Sequence, residues 1–167
     1  MTQLTPMQMM DILLANLAEE LDRRETRDNM CLEQVYPGDS IPVDFGAESC
    51  GGIAYVQLLS SVPTTTFPAP STTVDNCTHT LAHTMTIGIW RPAEMPREVR
   101  GRIVLPSQAQ VRKETELQMD DMDAIYQAIL DARSDIDMMV LGTYTPQGPN
   151  GGALGGNWSV QVGNEEP

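Results

Sequence analysis

The sequence predicts an α+β fold, a two-layer sandwich in which two helices pack a mostly antiparallel sheet in the order α-β-β-α-β-β. Three observations lead there. Two segments open with capping boxes and continue as apolar stripes at helical spacing, a central run alternates apolar residues with threonines, and the C-terminal part sets two apolar runs either side of a glycine-rich stretch. A length of 167 residues with 41% apolar content suits one domain spanning 1–167, because a domain takes roughly 100–200 residues. A large multidomain enzyme is excluded.

Thr5, Pro6 and Gln8 mark the first element, with threonine as N-cap, proline at the first helical position and glutamine three residues after the cap. Met7, Met10, Leu13, Leu14, Leu17 and Leu21 then recur at helical spacing, with Asp11, Glu19, Glu20 and Asp22 mostly on other faces. A helix is expected over 6–27, within an N-terminal region 1–28. Tyr36-Pro37-Gly38-Asp39 is a turn signal. Cys50-Gly51-Gly52 precedes a β-like run over 53–59. Residues 60–76 are rich in Pro, Ser and Thr, and Pro63, Pro68 and Pro70 argue for an exposed excursion rather than a ladder. Leu81, Met85, Ile87 and Ile89 share a face with His79 and His83, while Thr80, Thr84 and Thr86 face away. That alternation predicts a long strand ending near Trp90, paired in a hairpin with the first. A second capping box, Thr115 to Gln118, opens a helix whose stripe is Met119, Met122, Ile125, Tyr126 and Ile129 and which stops near Arg133. Residues 138–144 read as a strand, 145–156 as a glycine-rich loop and 157–162 as the partner strand.

Charge narrows the function classes. The chain carries 23 acidic against 10 basic residues, a net −13, and Lys113 is its only lysine. Proteins that grip duplex DNA or an anionic membrane do so through lysine and arginine, so neither partner is expected here. Eight aromatics leave no stacking platform for single-stranded nucleic acid. Cys31, Cys50 and Cys77 are an odd number without paired spacing, which points away from a disulfide framework and toward a reducing cytoplasm. No basic leader with an apolar stretch and no membrane-spanning run is visible.

Candidate chemistry is sparse. Cys77, His79 and His83, with Cys50, offer zinc-type ligands, but they match no standard zinc spacing. Two histidines four apart on a strand are also roughly 13 Å apart from rise alone. Structural or exposed histidines are the preferred reading, and no metal is expected. Gly148-Pro149-Asn150-Gly151-Gly152 with Gly155-Gly156 lacks the lysine and following helix of a phosphate cradle and reads as a demanding hairpin connection. Asp120, Asp121 and Asp123 read as a solvated helix face. No Gly-x-Ser-x-Gly elbow occurs, and the methionines suit core filling. No catalytic residue and no cofactor is therefore expected. The stretch 91–113 holds six cations against two carboxylates, a net +4 that leaves −17 for the rest. It is either a solvated loop or a positive patch, with Arg97, Arg100 and Arg102, that meets the acidic surface of a neighbouring copy head to tail.

Several landmarks together resemble the head-to-tail connector proteins of long-tailed actinobacterial phages, in particular the tail terminators. They are Cys50-Gly51-Gly52-Ile53-Ala54-Tyr55-Val56, Phe67-Pro68, Cys77, Ile87-Gly88-Ile89-Trp90-Arg91-Pro92, Asp120-Asp121-Met122-Asp123-Ala124, and the segment from Thr145 through Gly148-Pro149-Asn150-Gly151-Gly152 to Trp158. The resemblance implies a structural virion protein made in the host cytoplasm and placed in the tail or neck. There a homo-oligomeric ring of six copies would sit on the tail-tube protein, stop its growth and meet the head-side connector or stopper. DNA would pass through its lumen without specific binding. The same resemblance makes 60–76, with Phe67 and Pro68, and 145–156, with Gly148, Pro149, Gly151 and Gly152, contact arms. A stopper or adaptor ring of the neck is the sibling alternative, and a small metal-binding or hydrolytic protein a more distant one.

Overall fold

The structure is a computed structural model that describes residues 3–26, 30–38, 40–41, 45, 50–71 and 80–164. The chain is α+β: in order, α1 (Pro6–Arg23), β1 (Met30–Pro37), β2 (Gly52–Thr64), β3 (Thr80–Pro92), β4 (Arg97–Val99), β5 (Arg102–Val104), α2 (Gln108–Ala132), β6 (Met138–Asn150) and β7 (Ala153–Gly163). A five-stranded mixed sheet runs β1-β2-β3-β7-β6, and β4 pairs with β5 in a separate two-stranded sheet. Among the described residues no helix is long and apolar enough to cross a membrane.

The first helix begins as its sequence predicts. Thr5 accepts from the Gln8 backbone at 3.2 Å, and the Gln8 side chain accepts from the Thr5 N–H at 2.8 Å. It stops at Arg23, short of the expected residue 27. Glu25 turns left-handed at φ 56°, and Glu25 and Thr26 donate back to Asp22 and Leu21 in a Schellman closure that satisfies the last carbonyls. The stripe also shifts slightly, since Met9 is fully buried whereas Met7 is 54% exposed.

α2 starts a full two turns earlier than expected. Ser107 is its N-cap, accepting from Gln110 N at 3.1 Å, and Thr115 lies inside the helix, donating to the Val111 carbonyl four residues back. Its opening turns carry Val111, Arg112, Lys113, Thr115 and Glu116 in solvent, so no apolar stripe announces them. Met119 is exposed accordingly, and the buried stripe is Asp121, Ala124, Ile125, Ala128, Ile129 and Ala132.

The strand predictions hold at the centre and change at the edges. β2 and β3 pair antiparallel with Val56 opposite Ile87, and β3 pairs with β7 with Met85 opposite Val160, so these side chains share one face. That face joins Met9, Leu13, Leu17 and Leu21 of α1 and Ile125 and Ile129 of α2 in one core. Burying each such aliphatic side chain contributes about 1.5–3 kcal/mol.

Two expected loops are partly ladder. β2 runs on to Thr64, with Pro63 opposite Leu81. Pro63 directs its backbone away from β3, where its carbonyl accepts from Ser71 N at 2.8 Å, so the missing proline N–H costs no ladder bond. Residues 72–76 of the expected excursion lie outside the described residues. Likewise 145–156 is not an extended loop: Pro146 pairs with Gly156 and Gln147 with Gly155, and only Gly151 and Gly152 form the turn. Its prolines are tolerated because β6 is an edge strand.

β1 is a strand that sequence reasoning did not anticipate, lying parallel to β2 with Val35 opposite Val56. This pairing sets Met30 against Gly52 and brings Cys31 and Cys50, 19 residues apart in sequence, to a Cα separation of 5.2 Å, where they form a disulfide. The expectation of unpaired cysteines is thereby corrected for this pair; Cys77 lies outside the described residues. Closing a loop of that length stabilises by about 3 kcal/mol. Cys31→Ala with Cys50→Ala is expected to lower unfolding free energy by about that amount in urea titrations under non-reducing conditions, and superimposable curves would refute the estimate.

Candidate functional site

One end of the sheet carries most of the sequence candidates. β3 ends at Pro92 opposite Ala153, and Ala93 N donates 2.8 Å to Gly152 O, so the chain leaves the sheet beside the β6–β7 turn. It then forms the β4–β5 hairpin, whose turn residues Arg100 and Gly101 have φ of 52° and 75°. Two consecutive positive values mark the two-residue turn whose twist matches paired strands. Glu114 of α2 holds the base, its carboxylate accepting from Glu94 N at 2.9 Å.

The hairpin is small and unsheltered. Arg97, Arg100 and Arg102 are exposed, Ile103 is 75% and Leu105 69% exposed, and Met95, Val99 and Val104 also face solvent. Arg97 is opposite Val104 and Val99 opposite Arg102, so cationic and aliphatic side chains alternate on one face while Glu98 and Ile103 share the other. Isolated two-stranded hairpins are marginal in water. Exposed aliphatics interleaved with arginine are the composition that contact surfaces favour.

The basic stretch 91–113 is not one loop. Arg112 lies on α2 in an exposed ion pair with Glu116 at 2.8 Å, an arrangement that contributes at most about 1 kcal/mol. Arg91 is buried in β3 and forks onto Asp121 of α2, with Nε to Oδ2 at 2.6 Å and Nη2 to Oδ1 at 2.7 Å, while Nη1 reaches Gly51 O at 3.2 Å. Asp121 is 4% exposed, which corrects its reading as part of a solvated face. Burial pushes its carboxyl above the usual range, against the opposing pull of the Arg91 hydrogen bonds. Of the neighbouring acids, Asp120 is exposed and Asp123 accepts from Arg24 at 2.7 Å. Two patterns carried this pair without being recognised: Arg91 continues the alternation of Ile87 and Ile89, and Asp121 precedes Ile125 by one helical turn.

Gly151 and Gly152, at φ 57° and 82°, sit at this same end, and Gly152 lies 3.8 Å from Met95 for an added Cβ. Gly148 and the cis-bonded Pro149 lie just below the turn on exposed backbone. Phe67 and the cis-bonded Pro68 are elsewhere. Both are half-buried, and the Phe67 ring lies against Gly163, which pairs with Met138 at the opposite end of the sheet.

Several other polar groups have local partners, whereas Gln57 Nε2 is buried with none among the described residues. His83 is buried with Nδ1 2.8 Å from Ser61 Oγ, and burial lowers its pKa; His79, like Cys77, lies outside the described residues. Trp158 donates to Met122 O at 3.0 Å and packs between Tyr126 and Tyr144. Burial, reinforced by the nearby Asp121 carboxylate, pushes the Tyr144 hydroxyl up to about 12. The sheet face away from the core holds a polar hollow of about 350 Å³ lined by Tyr55, Gln57, Thr86 and Asn157. There Thr86 donates to Gln57 Oε1 and Asn157 to the Tyr55 hydroxyl, at 3.2 and 3.3 Å. On the helix side an apolar groove of about 420 Å³ opens between α1, β1 and β2, lined by Pro6, Met7, Met10, Val35, Tyr36 and Leu58. Sequence reasoning missed it because β1 forms its wall. In comparisons with known proteins, no protein-family model and no curated protein matches the chain.

Proposed function

We propose that this chain is a structural virion protein, a tail terminator whose ring caps the tail tube and joins it to the head-side connector. The observation that carries the reading is the exposed β4–β5 hairpin, a cationic and aliphatic protrusion on an otherwise acidic chain. Such a surface suits contact with an acidic neighbour, and a patch that meets a different patch closes into rings or runs on as filaments. In this reading the fold is a two-layer sandwich, with both helices as one layer and the sheet as the other. The protein acts through interfaces rather than catalysis. The net −13 charge keeps a passing genome from sticking, because cationic contacts are what give DNA its salt-dependent affinity.

The test is electron microscopy of purified protein, alone and mixed with tail-tube protein. Closed rings that seat on tube ends support the reading, whereas a chain that stays monomeric and ignores the tube overturns it. Rings that join the portal side and leave tube ends bare would assign the stopper or adaptor role instead. Reversing Arg97, Arg100 and Arg102 together to glutamate is expected to abolish ring formation, and unchanged rings would remove the hairpin from the interface.

A further inference from the structure

We infer that the β4–β5 hairpin of one copy docks in the apolar groove between α1, β1 and β2 of a second copy. Three features fit the two surfaces together. The first is chemistry: among the described residues Ile103 and Leu105 are the most exposed of the large aliphatic side chains, and the groove is walled by Met7, Met10, Val35, Tyr36 and Leu58 with little polar lining. A hollow of about 420 Å³ falls in the range of formed binding pockets, and Met7, 54% exposed, lies at its open side.

The second is charge. Arg100 lies at the hairpin turn and Arg97 and Arg102 on the face opposite Ile103, while Asp11, one helical turn along α1 from Met7, is exposed beside the groove. Opposite signs would meet around an apolar centre, the arrangement of an interface core with a polar rim.

The third is topology. Ile53 pairs with Trp90, near the hairpin, whereas Leu58, in the groove, pairs with Met85. The hairpin therefore lies beyond one end of the β2–β3 ladder and the groove near its middle, about five residues or roughly 17 Å further along. A chain cannot satisfy its own groove with its own hairpin, and two copies that meet this way leave one hairpin and one groove free for the next. The contact is heterologous. It deepens the ring reading by naming both halves of the subunit contact, and depends on that reading only for closure into a ring.

Two variants of the full chain test it, each placing a charge of the partner's own sign at an apolar anchor: Ile103→Asp on the hairpin and Met7→Arg at the groove. Both sites are exposed, and circular dichroism with thermal melting checks that each variant folds. Sedimentation velocity across a concentration series is expected to show self-association of the unmodified protein and a loss of at least roughly 30-fold in affinity for each variant. An equimolar mixture of the two is expected to form a discrete 1:1 dimer that neither forms alone, because one intact hairpin then meets one intact groove. Self-association of either folded variant at the unmodified level overturns the contact. So does an unmodified protein that stays monomeric, or a mixture that does. If the contact holds but the rings ignore tail-tube protein, the terminator reading falls alone; if rings cap tubes and both variants still assemble, the contact falls alone.

Discussion

Asp121→Ala is expected to lower the unfolding free energy by about 3–5 kcal/mol, because it leaves the Arg91 guanidinium buried without a counter-charge. The geometry allows no easy escape. Arg91 is 8% exposed, both arms of its fork are committed to Asp121, and among the described residues its remaining side-chain hydrogen bond goes to the Gly51 carbonyl. Arg91→Ala should cost a similar amount by stranding the carboxylate. Replacing both, as Arg91→Met with Asp121→Leu, should recover most of the loss, since burying two charges is itself costly and an apolar pair of similar volume removes that cost.

The upward shift of Asp121 agrees in sign with that expectation. A carboxyl whose folded pKa exceeds its unfolded value contributes its stability below the unfolded pKa, here 3.8, and loses it as pH rises through the folded pKa. At neutral pH the ionised group is therefore less comfortable in the fold than in water, although its removal alone is worse. Urea titrations of the single and double variants measure the cycle. Single variants within about 1 kcal/mol of the parent would mean that the pair is hydrated and easily replaced.

Gly155→Ala is expected to destabilise by about 3 kcal/mol or more, a drop in Tm of roughly 6–12 °C for a chain of this size. A Cβ at Gly155 would strike the Ile89 carbonyl oxygen and approach Trp90 Cα to 3.0 Å, both parts of the neighbouring β3 backbone. Nothing flexible can move aside. Gly151→Ala tests the contrasting case: its φ is 57°, with open space around the missing Cβ, so the cost is only that of a left-handed alanine, about 1–2 kcal/mol. Thermal melts that reverse this order would show that turn strain, rather than the approach of β7 to β3, sets the demand for glycine.

These two glycines show how far local pattern reaches. Residues 145–156 look like a loop because glycine and proline weaken any strand taken alone. In the fold the same residues have separate tasks: Gly151 and Gly152 turn the chain, Gly155 lets β7 approach β3, and Gly156 makes room for the Tyr144 ring. Only the neighbouring strand shows which glycine does which. The same limit applies to Arg91, which composition groups with the hairpin arginines although its alternation with Ile87 and Ile89 already places it on the core face.

Sequence alone determined the features in which a residue's role follows from its near neighbours: the Thr5 cap and the α1 stripe, the alternating face of β3 and its antiparallel partner, and the separation of a cationic stretch from an acidic remainder. Tertiary structure decided what depends on distant segments. It set β1 beside β2, joined Cys31 to Cys50, buried Asp121 against Arg91, extended β6 and β7 through a proline-bearing edge, and set the groove apart from the hairpin along the sheet. The physical reason is that helical and strand periodicity specify which way a side chain points, whereas register and topology specify what it meets there. Burial, charge pairing and the demand for glycine are properties of that meeting.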